Sequence, residues 1–439
     1  MHCGEMQRAK SKDERAKMTI VINYKKIMKK LITFAVAFAI AVSCEACSNA
    51  KAKTSNPNEG IISEQTQPKS LPEGAVSFDY ARHLYFDVVL RDSIPARMVF
   101  DTGNTNLLLD SEFYKQHFAH LGKLRRAMVA GAGNTIQASN LDMSGWKYRI
   151  GEHSQNEQQA VVIDLRKILG SQVDGMFGME FMRGRRVAFN YAQEWMRVLS
   201  AEEQLAEGYT CIKCKWLDNR ESRMIIPMKI TLQEGRDFEG NFLIDMGASE
   251  ALALNSSTAS KLNLSSTLTD VKKKIYDTGG VGGSRTDYLF KAQSVKIADS
   301  EIANVNASYS GNTQGAMADN RYDGIIGNAL LECFDVVFDF AKCEIWLRPN
   351  GNITAASAYD LGITLTPQQN CWVVNGMIEG GNAAKAGLKR GDTIISINGL
   401  SPDKLDIKEL NELYKSAEKW NFVVKRDNTT LEIAFDKER

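Results

Sequence analysis

The chain has 439 residues, and its 54 lysines and arginines nearly balance 53 aspartates and glutamates, for a formal net charge of +1. This length allows two to four domains with a sizeable core. The charge balance gives no global field that favours nucleic acid or an anionic surface. Past residue 50 there is no basic stretch interleaved with aromatic residues, so we expect no nucleic-acid partner.

Residues 1–47 contain a segment that resembles a bacterial lipoprotein signal. Met28-Lys29-Lys30 is a basic start, the uncharged and mostly apolar run 31–42 follows, and Ser43-Cys44 closes it. The run is shorter than the ~20 residues that cross a bilayer and has the length of a secretory signal core. The resemblance implies export to the cell envelope, with Cys44 carrying a lipid anchor that attaches the mature chain to a membrane.

Two alternatives to lipidation at Cys44 stay open. An ordinary cleaved signal needs no lipid, and Cys47 is a second, weaker position for the lipid. Residues 1–27 lie upstream of the signal, so we expect translation to begin at Met28, or else at Met18.

Residues 48–74 are rich in Asn, Ser, Gln, Lys and Pro, a composition that cannot bury a core and predicts a flexible tether. Short apolar runs separated by glycine turns then fill residues 75–205, and the same pattern returns over residues 210–349. Strands and turns of this kind predict a mainly β fold in two similar lobes.

The two lobes share a motif. Asp101-Thr102-Gly103-Asn104 follows an apolar run, and Asp174-Gly175-Met176-Phe177-Gly178 comes 73 residues later (174 − 101). Asp245-Met246-Gly247-Ala248 follows another apolar run, and Asp323-Gly324-Ile325-Ile326-Gly327 comes 78 residues later (323 − 245). Glycine-rich turns lie some 30 to 35 residues after each first aspartate and suit the tips of β-hairpins.

Paired carboxylates on equivalent turns can catalyse hydrolysis. Two carboxyl groups in contact cannot both ionise, so they share one proton. The ionised group can take a proton from water while the protonated group donates to a carbonyl oxygen, which is general acid–base hydrolysis of an amide. The alternative is that Asp101 and Asp245 are turn residues of an inactive β scaffold. For Asp174 and Asp323 we expect no catalytic role, because an aspartate before a glycine in a turn commonly caps backbone amides.

With both motifs in place, residues 75–349 resemble a retropepsin-like aspartic protease whose two lobes are fused in one chain. The resemblance implies a pair of acid-protease-like β-barrels that hold a polypeptide substrate between them, with no metal or organic cofactor. It implies that Asp101 and Asp245 are the catalytic pair. The other implied roles are support of the catalytic loops by Thr102, Gly103, Asn104, Met246, Gly247, Gly178 and Gly327, and flap tips at Gly131, Gly133, Gly280 and Gly282.

The second motif departs from the family pattern at Met246. The family has Thr or Ser there, whose hydroxyl bonds across the pseudo-two-fold axis, and a methionine cannot donate that hydrogen bond. The loss costs about 0.5–1.5 kcal/mol. A second asymmetry is that Asn104 can hydrogen-bond a carboxylate whereas Ala248 cannot, and we expect this to make Asp245 the more readily protonated partner.

Residues 355–437 resemble a PDZ domain of the bacterial envelope-protease type. The matching stretches are Ala383-Ala384-Lys385-Ala386-Gly387-Leu388 and Ile395-Ser396-Ile397-Asn398-Gly399. The resemblance implies a small α+β domain whose Leu361-Gly362-Ile363 loop receives the C-terminus of a peptide ligand, which adds as a strand beside the sheet. A PDZ fold that serves only as a docking spacer is the alternative.

Cys211 and Cys214 have the spacing of a redox motif, but no βαβ pattern surrounds them. We expect a local disulfide or two free thiols there. Taken together, the sequence predicts an envelope lipoprotein that acts as an aspartic endopeptidase with a PDZ domain. The alternatives are an inactive protease-like lipoprotein that only binds extended peptides, and a homodimer formed through the lobes.

Overall fold

The computed structural model of the protein describes residues 71–122, 124–352, 356, 361–368, 371–402 and 407–438. The expected signal, with Cys44 and Cys47, and residues 48–70 of the expected tether lie outside the described residues. In the described part of the chain, none of the helices combines the length and apolar character needed to cross a bilayer.

The first lobe is built mostly of strands whose side chains alternate between core and solvent. Along Trp146–Ile150, for example, the side chains are buried and exposed in strict alternation, as expected for a strand with one face on a core. Its longest helix begins after Asp110, whose carboxylate accepts hydrogen bonds from the N–H groups of Glu112 and Phe113 and so caps the helix. The elements are β1 Ala75–Ser77, β2 Asp79–Tyr80, β3 Leu84–Leu90, β4 Ile94–Asp101, β5 Leu107–Asp110, α1 Ser111–His117, β6 Arg125–Ala130, β7 Ile136–Asp142, β8 Trp146–Ile150, β9 His153–Glu157, β10 Ala160–Ile163, α2 Arg166–Leu169, β11 Gly175–Gly178, α3 Met179–Met182, β12 Arg186–Asn190 and β13 Trp195–Leu199.

The second lobe repeats this plan. Its elements are β14 Thr210–Lys213, β15 Lys215–Trp216, β16 Met224–Thr231, β17 Asp237–Ile244, β18 Leu252–Leu254, α4 Ser256–Lys261, α5 Leu264–Thr267, β19 Lys272–Tyr276, β20 Arg285–Ile297, β21 Ser300–Ser310, β22 Gly324–Ile326, α6 Asn328–Leu331, β23 Phe334–Asp339 and β24 Glu344–Pro349, with short 3-10 turns at Gln233–Gly235 and Ala316–Ala318.

The C-terminal region forms a smaller unit around its own apolar core, which includes Trp372, Val374, Trp420 and Phe422. Its elements are β25 Ile363–Gln368, β26 Cys371–Ile378, α7 Asn382–Lys385, β27 Thr393–Ile397, α8 Ile407–Ser416, β28 Lys419–Arg426 and β29 Thr429–Asp436. The mainly β architecture with a small α+β C-terminal domain confirms the predicted fold class.

Three sheets organise these strands. A ten-stranded sheet belongs to the first lobe, and a six-stranded sheet joins the lobes because β12 pairs antiparallel with β23, with Ala188 opposite Val337. A thirteen-stranded sheet belongs to the second lobe and continues into the C-terminal domain, where β19 pairs with β26. The two lobes also share one large apolar core.

Cysteines near the start of the second lobe are free thiols rather than a local disulfide. Cys211 and Cys214 are both unpaired. The Cys214 thiol donates to the Ile212 carbonyl oxygen at 3.8 Å and lies beside the Cys343 thiol, and the Cys214 N–H donates to the Cys343 carbonyl oxygen at 2.8 Å. Of the two expected states, the structure has the free thiols, and Cys214 faces Cys343 instead of Cys211.

Candidate active site

The two motif aspartates stand on equivalent loops at the ends of equivalent strands. In the first lobe β4 ends at Asp101 and runs parallel to β11, which places Gly178 opposite Asp101. In the second lobe β17 runs parallel to β22, and the N–H of Asp245 donates to the Ile326 carbonyl oxygen at 2.9 Å. The sequence repeat therefore corresponds to a pseudo-two-fold arrangement of the two loops.

The side chains of Asp101 and Asp245 meet between the lobes and are hydrogen-bonded to each other. Each also accepts a hydrogen bond from a glycine of its own loop, from the N–H of Gly103 to Asp101 at 2.7 Å and from that of Gly247 to Asp245 at 3.0 Å. A Cβ added to Gly103 would lie 2.9 Å from Cγ of Asp245, and one added to Gly247 would lie 2.2 Å from Cγ of Asp101. Only glycine therefore lets each loop approach the other lobe's carboxyl group this closely.

The electrostatics of the pair are asymmetric. Burial raises the pKa of both carboxyl groups because it penalises the charged form. For Asp245, the negative charge of Asp101 and the hydrogen bond between them raise the pKa further. The hydrogen bonds from Asp245 and from the Gly103 N–H, together with the nearby N–H groups of Asn104 and Gly247, favour ionised Asp101. This arrangement places the shared proton on Asp245.

The expected source of this asymmetry was wrong in one respect. The Asn104 side chain does not bond the Asp101 carboxylate. Its amide group donates to the Asn106 carbonyl oxygen at 2.6 Å, and its oxygen accepts from the Asn106 N–H at 3.1 Å. The backbone N–H of Asn104 lies near that carboxylate and donates to the Asp101 carbonyl oxygen at 3.2 Å. An asparagine beside a turn can bond its own backbone two residues on, and that local bond prevails here.

Gly178 and Gly327 lie directly behind the two loops. A Cβ on Gly178 would lie 1.8 Å from the Asp101 carbonyl oxygen, and one on Gly327 would lie 2.4 Å from that of Glu250. The residue after each glycine donates its N–H to the loop, Met179 to Asn104 at 3.0 Å and Asn328 to Ala248 at 2.9 Å. Both glycines thus hold the loops at backbone-to-backbone distance.

Only one of the two motifs supplies a side-chain hydroxyl that bonds across the pseudo-two-fold axis, and we call these bonds the brace. The Thr102 hydroxyl donates to the Ile244 carbonyl oxygen at 2.7 Å and accepts from the Met246 N–H at 3.0 Å. Met246 has no hydroxyl to return these bonds, but its side chain is fully buried. Packing of that methionine stabilises the position where a hydrogen bond is missing.

Asn328, a residue outside the predicted site, supports the Met246 loop, which lacks the hydroxyl. Its amide group donates to the carbonyl oxygens of Met246 at 2.7 Å and Arg82 at 2.8 Å, and its oxygen accepts from the Tyr191 hydroxyl at 2.9 Å. Arg82 and Tyr191 belong to the first lobe, so Asn328 ties the Met246 loop across the axis. In the sequence, the polar Asn328 follows Gly327, whereas the apolar Met179 follows the equivalent Gly178, and this difference could have indicated a hydrogen-bonding role for Asn328.

Two hairpins roof the carboxyl pair. We call the hairpin β6–β7, with residues 131–135 at its tip, flap 1, and the hairpin β19–β20, with residues 277–284 at its tip, flap 2. The tips interlock: N–H groups of Gly133 and Thr135 donate to the carbonyl oxygens of Val281 and Gly282, both at 2.9 Å. Gly131 and Gly280 also lie at this contact, where added Cβ atoms would meet Val281 and Ala132.

A third segment, residues 311–316, holds flap 1 from the second lobe. The Asn312 side chain donates to the Ala132 carbonyl oxygen at 2.9 Å, and the Ala316 N–H donates to that of Gly131 at 2.8 Å. The Asn134 side-chain oxygen accepts from the N–H of Thr313 at 2.7 Å. The roof therefore has three parts, of which the glycine pattern predicted two.

Residues 86–181 match a family model described as aspartyl protease, and residues 373–425 match a PDZ domain model. The chain contains an aspartyl protease domain and a C-terminal PDZ domain. The protease match contains Asp101 and Gly178 and ends within the first lobe, while Asp245 is placed beside it by the geometry described above. No curated protein matches the chain.

The cleft between the lobes is a cavity of about 1290 Å³ lined by Asp101, Asp245 and residues of both flaps. Beside the pair, Arg285 bonds Glu250 and Asp287, both at 2.6 Å. Burial alone would raise the pKa of Glu250, but the charge and hydrogen bonds of Arg285 outweigh it and lower that pKa to about 2. The cleft thus contains an ion-pair cluster around Arg285 in addition to the pair of carboxyl groups.

His83 also lines the cavity, on the first-lobe side. Burial lowers its pKa to about 4, so the imidazole is neutral near neutral pH. Its Nδ1 is buried and has no hydrogen-bond partner among the described residues. Sequence reasoning gave no role to this histidine, because a single His in an apolar setting carries no spacing signal.

The PDZ domain contributes to the same cavity. Ile363 and Leu365 of β25 and Leu410 and Tyr414 of α8 line it. Of the loop that the resemblance assigned to peptide binding, Leu361 is buried in the PDZ core, Gly362 has a left-handed backbone (φ 83°), and Ile363 begins β25. Residues of β25 and α8 therefore line the same cavity as Asp101 and Asp245.

Proposed function

We propose that the protein is an aspartic endopeptidase that hydrolyses peptide bonds in polypeptide substrates with a water molecule activated between Asp101 and Asp245. The observation that carries the proposal is the hydrogen bond between these two carboxyl groups, contributed by two lobes, at the floor of a roofed cleft. Support comes from the aspartyl protease match over residues 86–181.

The geometry supports a definite division of labour. Asp101, ionised, accepts a proton from water, and the resulting hydroxide attacks the carbonyl carbon of the substrate. Asp245 gives its proton to the carbonyl oxygen, which yields a neutral tetrahedral diol. When the C–N bond breaks, Asp101 passes its proton to the leaving amine, and a hydroxyl proton of the diol returns to Asp245 as the carboxylic acid forms. Aspartic proteases are themselves the established example of two carboxyl groups that share one proton, so this sharing is a general property of such pairs.

The proposed supporting roles follow the contacts. Thr102, Gly103, Met246 and Gly247 shape the loops around the pair, and Gly178 and Gly327 hold these loops from behind. The flap glycines Gly131, Gly133, Gly280 and Gly282 let the two tips close over the substrate. These roles come from the resemblance and agree with where the side chains and backbones lie.

For the C-terminal domain we propose binding of polypeptide C-termini or extended segments along β25, with the Leu361-Gly362-Ile363 loop at the end of the groove. The support is the PDZ match and the shared cavity. We also propose that the chain is exported and anchored to the cell-envelope membrane by a lipid on Cys44, which rests on the sequence of the signal alone.

The test uses purified protein that lacks residues 1–47 and an unfolded polypeptide such as denatured casein at mildly acidic pH. We expect cleavage by the wild-type sequence and none by Asp101→Asn or Asp245→Asn, because an amide cannot share the proton. Asp87→Asn, on an exposed strand position, is the matched control and should cleave normally. Cleavage that survives Asp101→Asn would assign the activity to another group.

A second function, a non-catalytic peptide-binding lipoprotein, is favoured by one observation: Met246 replaces the hydroxyl of the brace, so half of the cross-axis bonds are missing. In that case the wild-type protein binds unfolded polypeptide in a pull-down but leaves it intact over the full pH range, and Asp101→Asn binds equally well.

A further inference from the structure

The PDZ domain and flap 2 form one continuous sheet. β19, the first strand of flap 2, pairs antiparallel with β26 of the PDZ domain, with Lys274 opposite Ile378, Ile275 opposite Met377 and Tyr276 opposite Gly376. On its other edge β26 pairs with β25. The strand order β25–β26–β19–β20 therefore leads from the peptide groove of the PDZ domain directly into the flap.

One PDZ side chain extends this ladder toward the flap tip. The Asn375 side-chain oxygen accepts from the Thr278 N–H at 2.9 Å, and its amide group donates to the Thr278 carbonyl oxygen at 2.7 Å. The Asn375 backbone carbonyl oxygen accepts from the Asp277 N–H at 2.9 Å. A single asparagine thus satisfies both backbone groups of Thr278, two residues before Gly280.

Charge and shape complement these bonds. Arg390 of the PDZ domain forms an ion pair with Asp277, and Glu379 forms one with Lys273 at 3.0 Å. Gly376 lets the Tyr276 ring lie on β26, because a Cβ there would be 2.7 Å from Cδ1 of that ring. The PDZ domain and flap 2 therefore complement each other in charge and in shape at this junction.

We infer that the PDZ domain positions flap 2, and through the interlocked tips also flap 1, with Asn375 as the positioning residue. Flap 2 is held by β26 along Lys274–Tyr276, the end of β19 next to the tip, and at the tip itself by the bonds from Gly133 and Thr135. A shift of the PDZ domain relative to the second lobe changes both flaps together. The cleft opens only when the β19–β26 ladder moves with flap 2 or breaks.

Amide hydrogen exchange tests the inference in the full-length protein without any need for activity. Asn375→Ala removes both side-chain bonds to Thr278, and we expect exchange of the Thr278 amide and of the tip amides of Gly133 and Thr135 to rise by roughly tenfold. Asn398→Gly is the matched control, because the Asn398 side chain also bonds backbone, and its partners among the described residues, Asn421 and Lys419, belong to the PDZ domain. It should leave the flap amides unchanged.

A second variant, Arg390→Glu, tests the same junction in case Asn375→Ala does not fold. Arg390→Glu sets a negative charge beside Asp277 on an exposed surface, so the PDZ core stays intact, and we expect a smaller rise at the same flap amides. Flap exchange equal to wild type in both variants would overturn the inference. So would a rise in Asn375→Ala that the Asn398→Gly control reproduces.

The catalytic consequence rests on the proposed function and is measured separately. If the protein is a peptidase, Asn375→Ala should raise KM severalfold while kcat and the shape of the pH profile stay unchanged, because the carboxyl pair is untouched. A fall in kcat with KM unchanged would contradict the role in positioning. Absence of all cleavage would count against the proposed function, while the exchange result would still decide the inference.

Discussion

At the scale of single residues, the two aspartates differ more in their surroundings than in their sequence. Asp101 gains three backbone N–H contacts that favour its charged form, whereas Asp245 lies against the charge of Asp101. Two identical side chains on related loops thereby differ in their affinity for a proton, as happens when neighbouring groups push the pKa values of a pair apart.

The raised pKa of Asp245 predicts how stability depends on pH. A carboxyl group whose pKa is higher in the folded than in the unfolded protein favours folding below its unfolded pKa, and this contribution is lost as pH rises through the folded pKa. Asp245→Asn stays neutral at every pH. We therefore expect the variant to melt at a higher temperature than wild type at pH 8, and at the same temperature at pH 3, by differential scanning calorimetry.

Asp87→Asn, an exposed carboxylate paired with Arg97, serves as the control for this comparison. It should melt close to wild type at both pH values. A melting temperature of Asp245→Asn at or below that of wild type at pH 8 would show that ionisation of the carboxyl pair does not destabilise the folded protein.

What the sequence predicted at this scale was the identity of the pair and the glycines around it, because the repeat of Asp and Gly at matched positions is a local signal. It did not predict the bond of Asn104 to Asn106, since several partners were within reach of that side chain. Nor did it predict Asn328, whose three partners come from distant parts of the chain.

At the scale of elements, the flaps depend on backbone-to-backbone contact at their tips. A Cβ on Gly133 would lie 2.2 Å from the carbonyl carbon of Gly282, and one on Gly282 would lie 2.3 Å from the Thr135 carbonyl oxygen. Glycine is required there by space. At Gly282 it is favoured also by a left-handed backbone (φ 102°).

Gly133→Ala should therefore separate the tips. The added methyl group has to displace the Gly282 backbone, at a cost of about 1–3 kcal/mol, and the bonds from Gly133 and Thr135 are lost. We expect a lower free energy of unfolding in urea and a higher KM for an unfolded substrate, with an unchanged pH profile. Asn140→Ala, on the exposed side of β7, is the control.

Wild-type stability and KM in Gly133→Ala would show that the bonds between the flap tips contribute nothing to the free energy of unfolding or to substrate binding. The glycine-rich turns in the sequence predicted both hairpin tips, but not that they would bond to each other or to residues 311–316. Those contacts join residues 147 positions apart (Thr135 and Gly282) to 185 positions apart (Gly131 and Ala316) in the chain, and no local sequence pattern indicates such a pairing.

At the scale of the whole molecule, the two lobes and the PDZ domain are joined by shared sheets. The lobes share the pairing of β12 with β23, and the PDZ domain joins flap 2 through β19 and β26. The sequence predicted the order of the domains because each has its own motifs. It could not predict the β19–β26 pairing, since either strand reads as an ordinary strand of its own domain.

The joint between the lobes can be weakened at one residue, and the outcome measures how far the two halves fold as a unit. Asn328 is fully buried and bonds Met246 in its own lobe and Arg82 and Tyr191 in the other. Asn328→Ala leaves these three groups without their partner, so we expect a loss of about 3 kcal/mol in the free energy of unfolding. Because the lobes share a sheet and a core, urea unfolding should remain a single transition at a lower midpoint.

Asn350→Ala provides the comparison, because the bonds of the Asn350 side chain among the described residues are to the backbone of Glu332 and Asn352, within the second lobe. It should cost about 1 kcal/mol and leave any cleavage unchanged, whereas Asn328→Ala should also slow cleavage by loosening the Met246 loop behind Asp245. Two separate unfolding transitions in Asn328→Ala would mean that this residue couples lobes that otherwise fold independently. An equal cost for both variants would mean that the tie across the axis adds nothing beyond an ordinary buried hydrogen bond.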